Sequence, residues 1–136
     1  MSDIFLDTSA YSAFLAGHPA IKTAVQRADG LTINPIVMGE LLAGFLKGRR
    51  LEWNRQQLKL FLASPRVRMV VLDEGTAERY AVIRNTLLTE GKPIPTNDIW
   101  IAASALQHGL ELVTTDRHFA MVMHVVVRYY PPSGDA

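Results

Sequence analysis

The sequence predicts an α/β fold, a mainly parallel central sheet flanked by helices on both faces. Three observations predict it. Short apolar runs alternate with segments of helical periodicity along the whole chain. Most of these runs are apolar throughout rather than at every second residue, as strands covered on both faces are. Nearly half of the 136 residues (49%) are hydrophobic, enough to fill the core of one ordinary domain.

The elements follow in order. Ile4-Phe5-Leu6 is a strand that ends at Asp7-Thr8-Ser9, a turn and helix-start signal. A helix runs through Phe14 and Leu15 and stops at Gly17. A second spans Pro19 to Ala28, closed by Gly30. Leu31 to Ile33 is the next strand. Asn34-Pro35 then reads as an N-cap with proline in the first turn of a helix that continues through Glu40 to about Lys47. Leu51 to Ala63 is another helix, with Leu58, Phe61 and Leu62 on one face. Met69 to Leu72 is a β-rich run, and Asp73 to Glu90 a long amphipathic helix ended by Gly91. A stiff loop, Lys92-Pro93-Ile94-Pro95, precedes a helix opened by Asn97 or Asp98 and ended at His108-Gly109. Leu110 to Val113 is a strand, turned by Thr114-Thr115-Asp116, and Val125 to Val127 the last strand. One domain over residues 1–136 is expected, with 131–136 a flexible tail.

Composition narrows the function. The absence of cysteine excludes disulfides, thiolate zinc sites and a cysteine nucleophile. Asp3 and Asp7 stand where a secretion signal carries basic residues. Glu40, Lys47 and Asp98 interrupt the longest apolar stretches short of membrane-spanning length. A soluble cytoplasmic protein is therefore expected. The net charge is only +1, but its distribution is uneven. Lys47, Arg49, Arg50, Arg55, Lys59, Arg66 and Arg68 are half of the 14 basic residues and share their stretch with a single acid, Glu52. Such a stripe attracts phosphates even on a nearly neutral chain, although a solvated helix face is the better explanation of a charge run taken alone.

Four acids carry the chemistry. Asp7 and Asp116 follow strands, and each taken alone is explained as a cap or turn residue. Asp98 lies in the first turn of a helix, where the macrodipole favours a carboxylate. Glu40 is harder to explain as structure. Ile36, Val37, Ala43 and Gly44 lie one turn from it, Leu41 and Leu42 follow it, and no Lys or Arg faces it. That pattern predicts an inward carboxylate, which must be protonated, paired or bound to a cation. Ile101, Ala102 and Ala105 place Asp98 on a similar face. Carboxylates at two strand ends and on two helices repel if they converge, unless a cation neutralises them. Oxygen ligands select Mg²⁺ or Mn²⁺ over zinc. His18, His108, His118 and His124 form no pair at helical spacing and read as surface or packing residues, though His118 stands two residues after Asp116.

Four segments carry a resemblance: FLDTSAY around Asp7, GELLAG around Glu40, NDIWIAA around Asp98 and LVTTDRHF around Asp116. In this order and spacing they resemble the PIN domain, and especially the VapC toxins of VapBC toxin–antitoxin systems, over nearly the whole chain. The resemblance implies a PIN-like fold and a Mg²⁺-dependent endoribonuclease that cuts structured RNA, transfer or ribosomal, by metal-activated water. It implies Asp7, Glu40, Asp98 and Asp116 as the catalytic metal site, with Glu40 completing the shell or orienting water. Thr8 and Thr114 would be supporting hydroxyls. It further implies a homodimer and a VapB-type antitoxin whose tail fills a groove near the acids, with Phe14, Leu15, Leu42, Phe45 and Leu46 as apolar walls. Lys47, Arg49, Arg50, Arg55 and His118 are the expected contacts to RNA or antitoxin. Where some PIN domains carry a further acid, this chain has His118 and Phe119.

Two other readings compete. A receiver or haloacid-dehalogenase-like phosphatase also places an aspartate after its first strand. Here, however, Ser9 stands where the phosphatase needs a second aspartate, and no lysine follows Lys92 as a receiver requires. A catalytically inactive PIN-like module that only binds RNA or a partner is the stronger alternative, and the retention of all four acids argues against it.

Overall fold

Every residue of the first strand, Ile4–Leu6, is buried, and so is every residue of the second, Leu31–Ile33. Successive side chains of a strand point to opposite faces, so this sheet is covered on both. The structure, a computed structural model, describes residues 2–132. Strands β1 (Ile4–Leu6), β2 (Leu31–Ile33), β3 (Val67–Met69), β4 (Glu111–Thr114) and β5 (Val127–Tyr129) form one sheet in the order β3-β2-β1-β4-β5. Every pairing is parallel. The helices are α1 (Thr8–Leu15), α2 (Pro19–Arg27), α3 (Pro35–Lys47), α4 (Leu51–Ala63), α5 (Glu74–Thr89) and α6 (Thr96–Gln107), with a 3₁₀ turn at Arg117–Met121. The core is built on Phe5, Leu6, Tyr11, Ile33, Ile83, Ile101, Leu112 and Phe119, all nearly inaccessible. The expected α/β class and parallel sheet are thus observed. Among the described residues, no helix is long and apolar enough to cross a membrane.

The helix ends follow local chemistry. The Asp7 carboxylate accepts from the Ala10 amide at the start of α1, and Asn34 accepts from Val37 at the start of α3. Asp73 and Thr76 form a reciprocal capping box on α5. Buried His18 caps α2. Its Nδ1 accepts from the Ile21 amide, so Nε2–H donates to the Pro131 carbonyl at 2.7 Å. That bond anchors the beginning of the expected tail. The remainder of the tail, 133–136, lies outside the described residues.

Several boundaries differ from expectation. β3 covers Val67–Met69 rather than 69–72, because its partner β2 ends at Ile33, which pairs with Met69. Beyond it Val71 is 65% exposed. β5 begins at Val127, where pairing with Leu112 starts, rather than at Val125. β4 is likewise one residue later than its apolar run suggests. α6 opens at Thr96 rather than at Asn97 or Asp98. The extended Pro95 precedes it, and its carbonyl accepts from the Asp98 and Ile99 amides.

The topology fixes where a site can form. From β1 the chain moves outward through β2 to β3, then returns past β1 to β4 and β5. The order therefore reverses between β1 and β4, and a crevice opens beyond their carboxyl ends.

Candidate active site

Asp7 leaves β1 and Asp116 follows β4, so both stand at the carboxyl ends of the two strands that flank this crevice. Asp98 enters from the first turn of α6 and Glu40 from the middle of α3. All four acids line one cavity of about 280 Å³, together with Thr8, Ser9, Ser12 and Ile101.

Each acid is held by specific partners. Asp7 is buried. Its Oδ2 accepts from the Thr114 hydroxyl at 2.6 Å, and the Ser9 hydroxyl lies 2.8 and 2.9 Å from its two oxygens. Thr114 Oγ1 also accepts from the Asp116 amide at 2.9 Å, tying the ends of β1 and β4 together. Glu40 accepts from the Thr8 hydroxyl through one oxygen and from Asn97 Nδ2, at 3.2 Å, through the other. Thr8 and Thr114, expected as supporting hydroxyls, thus each donate to one of the acids. Ser9 and Asn97 also contact the acids, although the sequence pattern assigned them no part in the site. A hydroxyl two residues after an aspartate at a helix start was the available signal for Ser9.

Glu40 differs from expectation. It is half-buried at the cavity edge, not in the core. Ala43 and Gly44, read as part of an apolar face around Glu40, are exposed, and Gly44 lines an open cleft. The lack of a side chain at Gly44 helps leave that cleft open. It holds about 400 Å³ and is lined by Leu15, Leu41, Phe45, Arg50, Trp53 and Asn54, meeting the acidic cavity at Thr8, Ser12 and Glu40. Of the expected apolar walls, Leu15 and Phe45 are in place. Leu46 faces solvent at 69% exposure, Phe14 packs against the core, and Leu42 lines a separate groove with Arg55 and Lys59.

The basic residues are therefore divided. Arg50 lines the cleft, with its guanidinium 4.0 Å over the Trp53 ring. Arg55 borders the other groove, while Lys47 and Arg49 are exposed near the end of α3. His118 stands with the acids. Its Nδ1 is 3.1 Å from Asp116 Oδ1, and its amide donates to the same oxygen at 2.9 Å.

The electrostatics show what such convergence costs. Burial pushes the Asp7 carboxyl up to about 6, outweighing its hydrogen bonds from Thr114, Ala10 and Ser9. Asp98 is also pushed up to about 6, first by burial and then by the charges of Asp116, Glu40 and Asp7, partly offset by His118. A cation removes this repulsion. Asp98, Asp116 and His118 each present one donor atom, and these atoms lie within 4.8 Å of one another. The residues present fit a divalent ion.

The family model for the PIN domain matches residues 4–124. The chain belongs to the PIN-domain family. Ribonuclease VapC4 of Mycobacterium tuberculosis is 30% identical over 95 residues, 70% of this chain and 73% of that protein. The structure of VapBC-1 from nontypeable Haemophilus influenzae superposes on this PIN domain with a TM-score of 0.81 at 26% identity, covering 95% of this chain and 98% of the other. VapBC-5 of Mycobacterium tuberculosis, a member of the VapBC family of toxin–antitoxin systems, shares the fold with a TM-score of 0.73 at 24% identity, over 94% and 98% of the two chains.

Proposed function

We propose that this chain is a divalent-metal-dependent endoribonuclease and the toxin member of a VapBC-type pair. One observation carries the reading: four carboxylates from four separate elements line a single cavity at the switch point of the sheet. A module that only binds a partner has no need of such mutually repelling charges. The relationship to a protein named ribonuclease VapC4 supplies the reaction class.

In this reading Asp7, Asp98, Asp116 and Glu40 hold Mg²⁺ or Mn²⁺. When bound, the cation supplies charge neutralisation, activation of water and Lewis acidity toward the phosphodiester. The chain's own groups do the positioning. Thr114 and Ser9 fix the Asp7 carboxylate, and Thr114 also orders the Asp116 backbone. Thr8 and Asn97 orient Glu40 toward the mouth of the cleft. RNA enters along that cleft, past Arg50 and Trp53.

The same cleft suits an antitoxin tail with apolar anchors for Leu15, Phe45 and Trp53 and one Arg or Lys directed at the acids. A buried carboxylate accepts that cation in place of a metal. The VapBC names of the structural neighbours support such a partner. A homodimer presenting two clefts, acting in the cytoplasm on structured RNA, completes the reading. The test incubates purified protein with a panel of cellular RNAs, with Mg²⁺ or Mn²⁺ or with excess chelator. Discrete cleavage only with metal supports the nuclease, and identical RNA patterns in all lanes exclude it. Co-expression with the neighbouring reading frame tests the toxin role. Harmless expression alone, with no small protein copurifying, removes that role.

A further inference from the structure

A metal centre made of carboxylates leaves the position of His118 unexplained. Its Nδ1 lies 3.1 Å from Asp116 Oδ1 and 3.9 Å from Asp98 Oδ2. Around a six-coordinate ion with ligands at about 2.1 Å, neighbouring donors stand about 3 Å apart and opposite donors about 4.2 Å apart. One observed distance matches the neighbouring spacing and the other lies between the two. A surface hydrogen bond accounts for the contact with Asp116 alone. It does not account for the approach to Asp98, which comes from another helix, α6.

The local structure delivers the ring to this place. Asp116 caps the 3₁₀ turn by accepting from the His118 amide, and buried Phe119 anchors the turn beside it. The imidazole itself is half exposed, with 51% of its side-chain surface accessible, so it can turn toward an ion without further packing rearrangement. Asp98 is the more enclosed partner, with a side chain 14% accessible.

We infer that His118 is a metal ligand of this site, adding an imidazole nitrogen to the carboxylates of Asp98 and Asp116, and that the site therefore selects Mn²⁺ over Mg²⁺. The inference rests on the metal-centre reading above and deepens it. Mg²⁺ takes oxygen ligands and keeps much of its water, whereas imidazole suits first-row transition metals. Mn²⁺ is the member of that series that also accepts carboxylates and water readily. His118 thereby gives this chain a mixed nitrogen and oxygen donor set.

The experiment titrates Mn²⁺ into chelator-treated full-length protein, reading free Mn²⁺ by electron paramagnetic resonance, with Mg²⁺ affinity measured by competition. Pulsed resonance on the bound ion reads directly coordinated ¹⁴N. The wild type should show a ¹⁴N coupling that His118→Ala removes. His118→Ala should weaken Mn²⁺ binding by at least about tenfold, the scale on which even outer-shell partners act, and Mg²⁺ binding much less. His118→Asp supplies an oxygen instead, and should shift the preference toward Mg²⁺ while keeping the site loaded. Thermal melts of both variants report their folding. Absence of nitrogen coupling in Mn²⁺-loaded wild type overturns the inference, as does an equal loss of both ions in His118→Ala. If Asp98→Asn and Asp116→Asn abolish metal binding while His118→Ala leaves it unchanged, only the histidine ligand fails. If neither ion binds the wild type, the metal-centre reading falls with it.

Discussion

Asp7 serves as a helix cap and as a site carboxylate at once. Its oxygens accept from the Ala10 amide at the start of α1 and from Thr114 and Ser9 in the cavity. Capping does not use up this carboxylate, which also lines the cavity shared with Glu40, Asp98 and Asp116. A pH dependence follows from its burial. The folded-state value, about 6, lies above the unfolded value of 3.8, so the folded protein binds this proton more tightly. The associated stability is fully present below the unfolded value and is lost as pH rises through about 6. The shift corresponds to roughly 3 kcal/mol in order of magnitude. Metal-free protein should therefore melt lower at neutral pH than at mildly acidic pH, and Asp7→Asn should flatten this trend. It should not abolish it, because Asp98 is shifted the same way. Calorimetry in chelator checks this, and wild-type stability that rises across the window would contradict the burial account. At this scale the four acids were legible because each sits in a recognisable segment. The orientation of Glu40 was not. Periodicity places the small residues Ala43 and Gly44 beside Glu40, but does not show whether small residues pack or leave a cleft. Nor could spacing show that His118 reaches Asp98, since that contact depends on an irregular 3₁₀ turn.

At the scale of elements, β1 and β2 and most helix ends lie where they were expected, whereas β3, β4, β5 and the start of α6 are displaced. Gly91 and Gly109 were expected to end helices, and they adopt φ values of 68° and 64°, where side chains bring strain. Gly109→Ala should destabilise the fold by about 1 kcal/mol without changing the cleft, as chemical denaturation can measure. β3 and β5 shifted because pairing with a neighbour, not local apolarity, sets where a strand begins. Gly44 shows the complementary case. A side chain built there meets nothing within 4 Å, and the residue faces the cleft from inside α3. Gly44→Met should therefore leave thermal stability equal or higher, since glycine disfavours a helix interior by about 0.5–1 kcal/mol. It should also reduce RNA cleavage and antitoxin binding at least tenfold. Unchanged binding of both would show that the cleft carries neither. On α4 and the loop before it, Arg50→Gln with Arg49→Gln should weaken RNA binding and lower its salt slope. The geometry assigns most of that effect to Arg50, so the Arg49→Gln variant alone should change the slope less.

For the whole molecule, the decisive feature is the reversal of strand order between β1 and β4. It places two strand-end aspartates side by side, and α3 and α6 bring Glu40 and Asp98 to the same crevice. The alternation of elements made the α/β class legible, and the four segments together made the family legible. The division of the basic stripe was not visible, because neighbours in sequence at the start of α4 and along it face different grooves: Arg50 and Trp53 one, Arg55 and Lys59 the other. Convergence of the four acids at this crevice should produce metal-dependent RNA cleavage. The deciding measurement is the single-turnover cleavage rate of Asp116→Asn against wild type, on one structured RNA, at saturating divalent metal and matched folded fraction. The expected result is a loss of at least about a hundredfold, the scale on which removal of one electrostatic stabiliser from an active site acts. A rate within a few-fold of wild type, from a variant that folds normally, would contradict it.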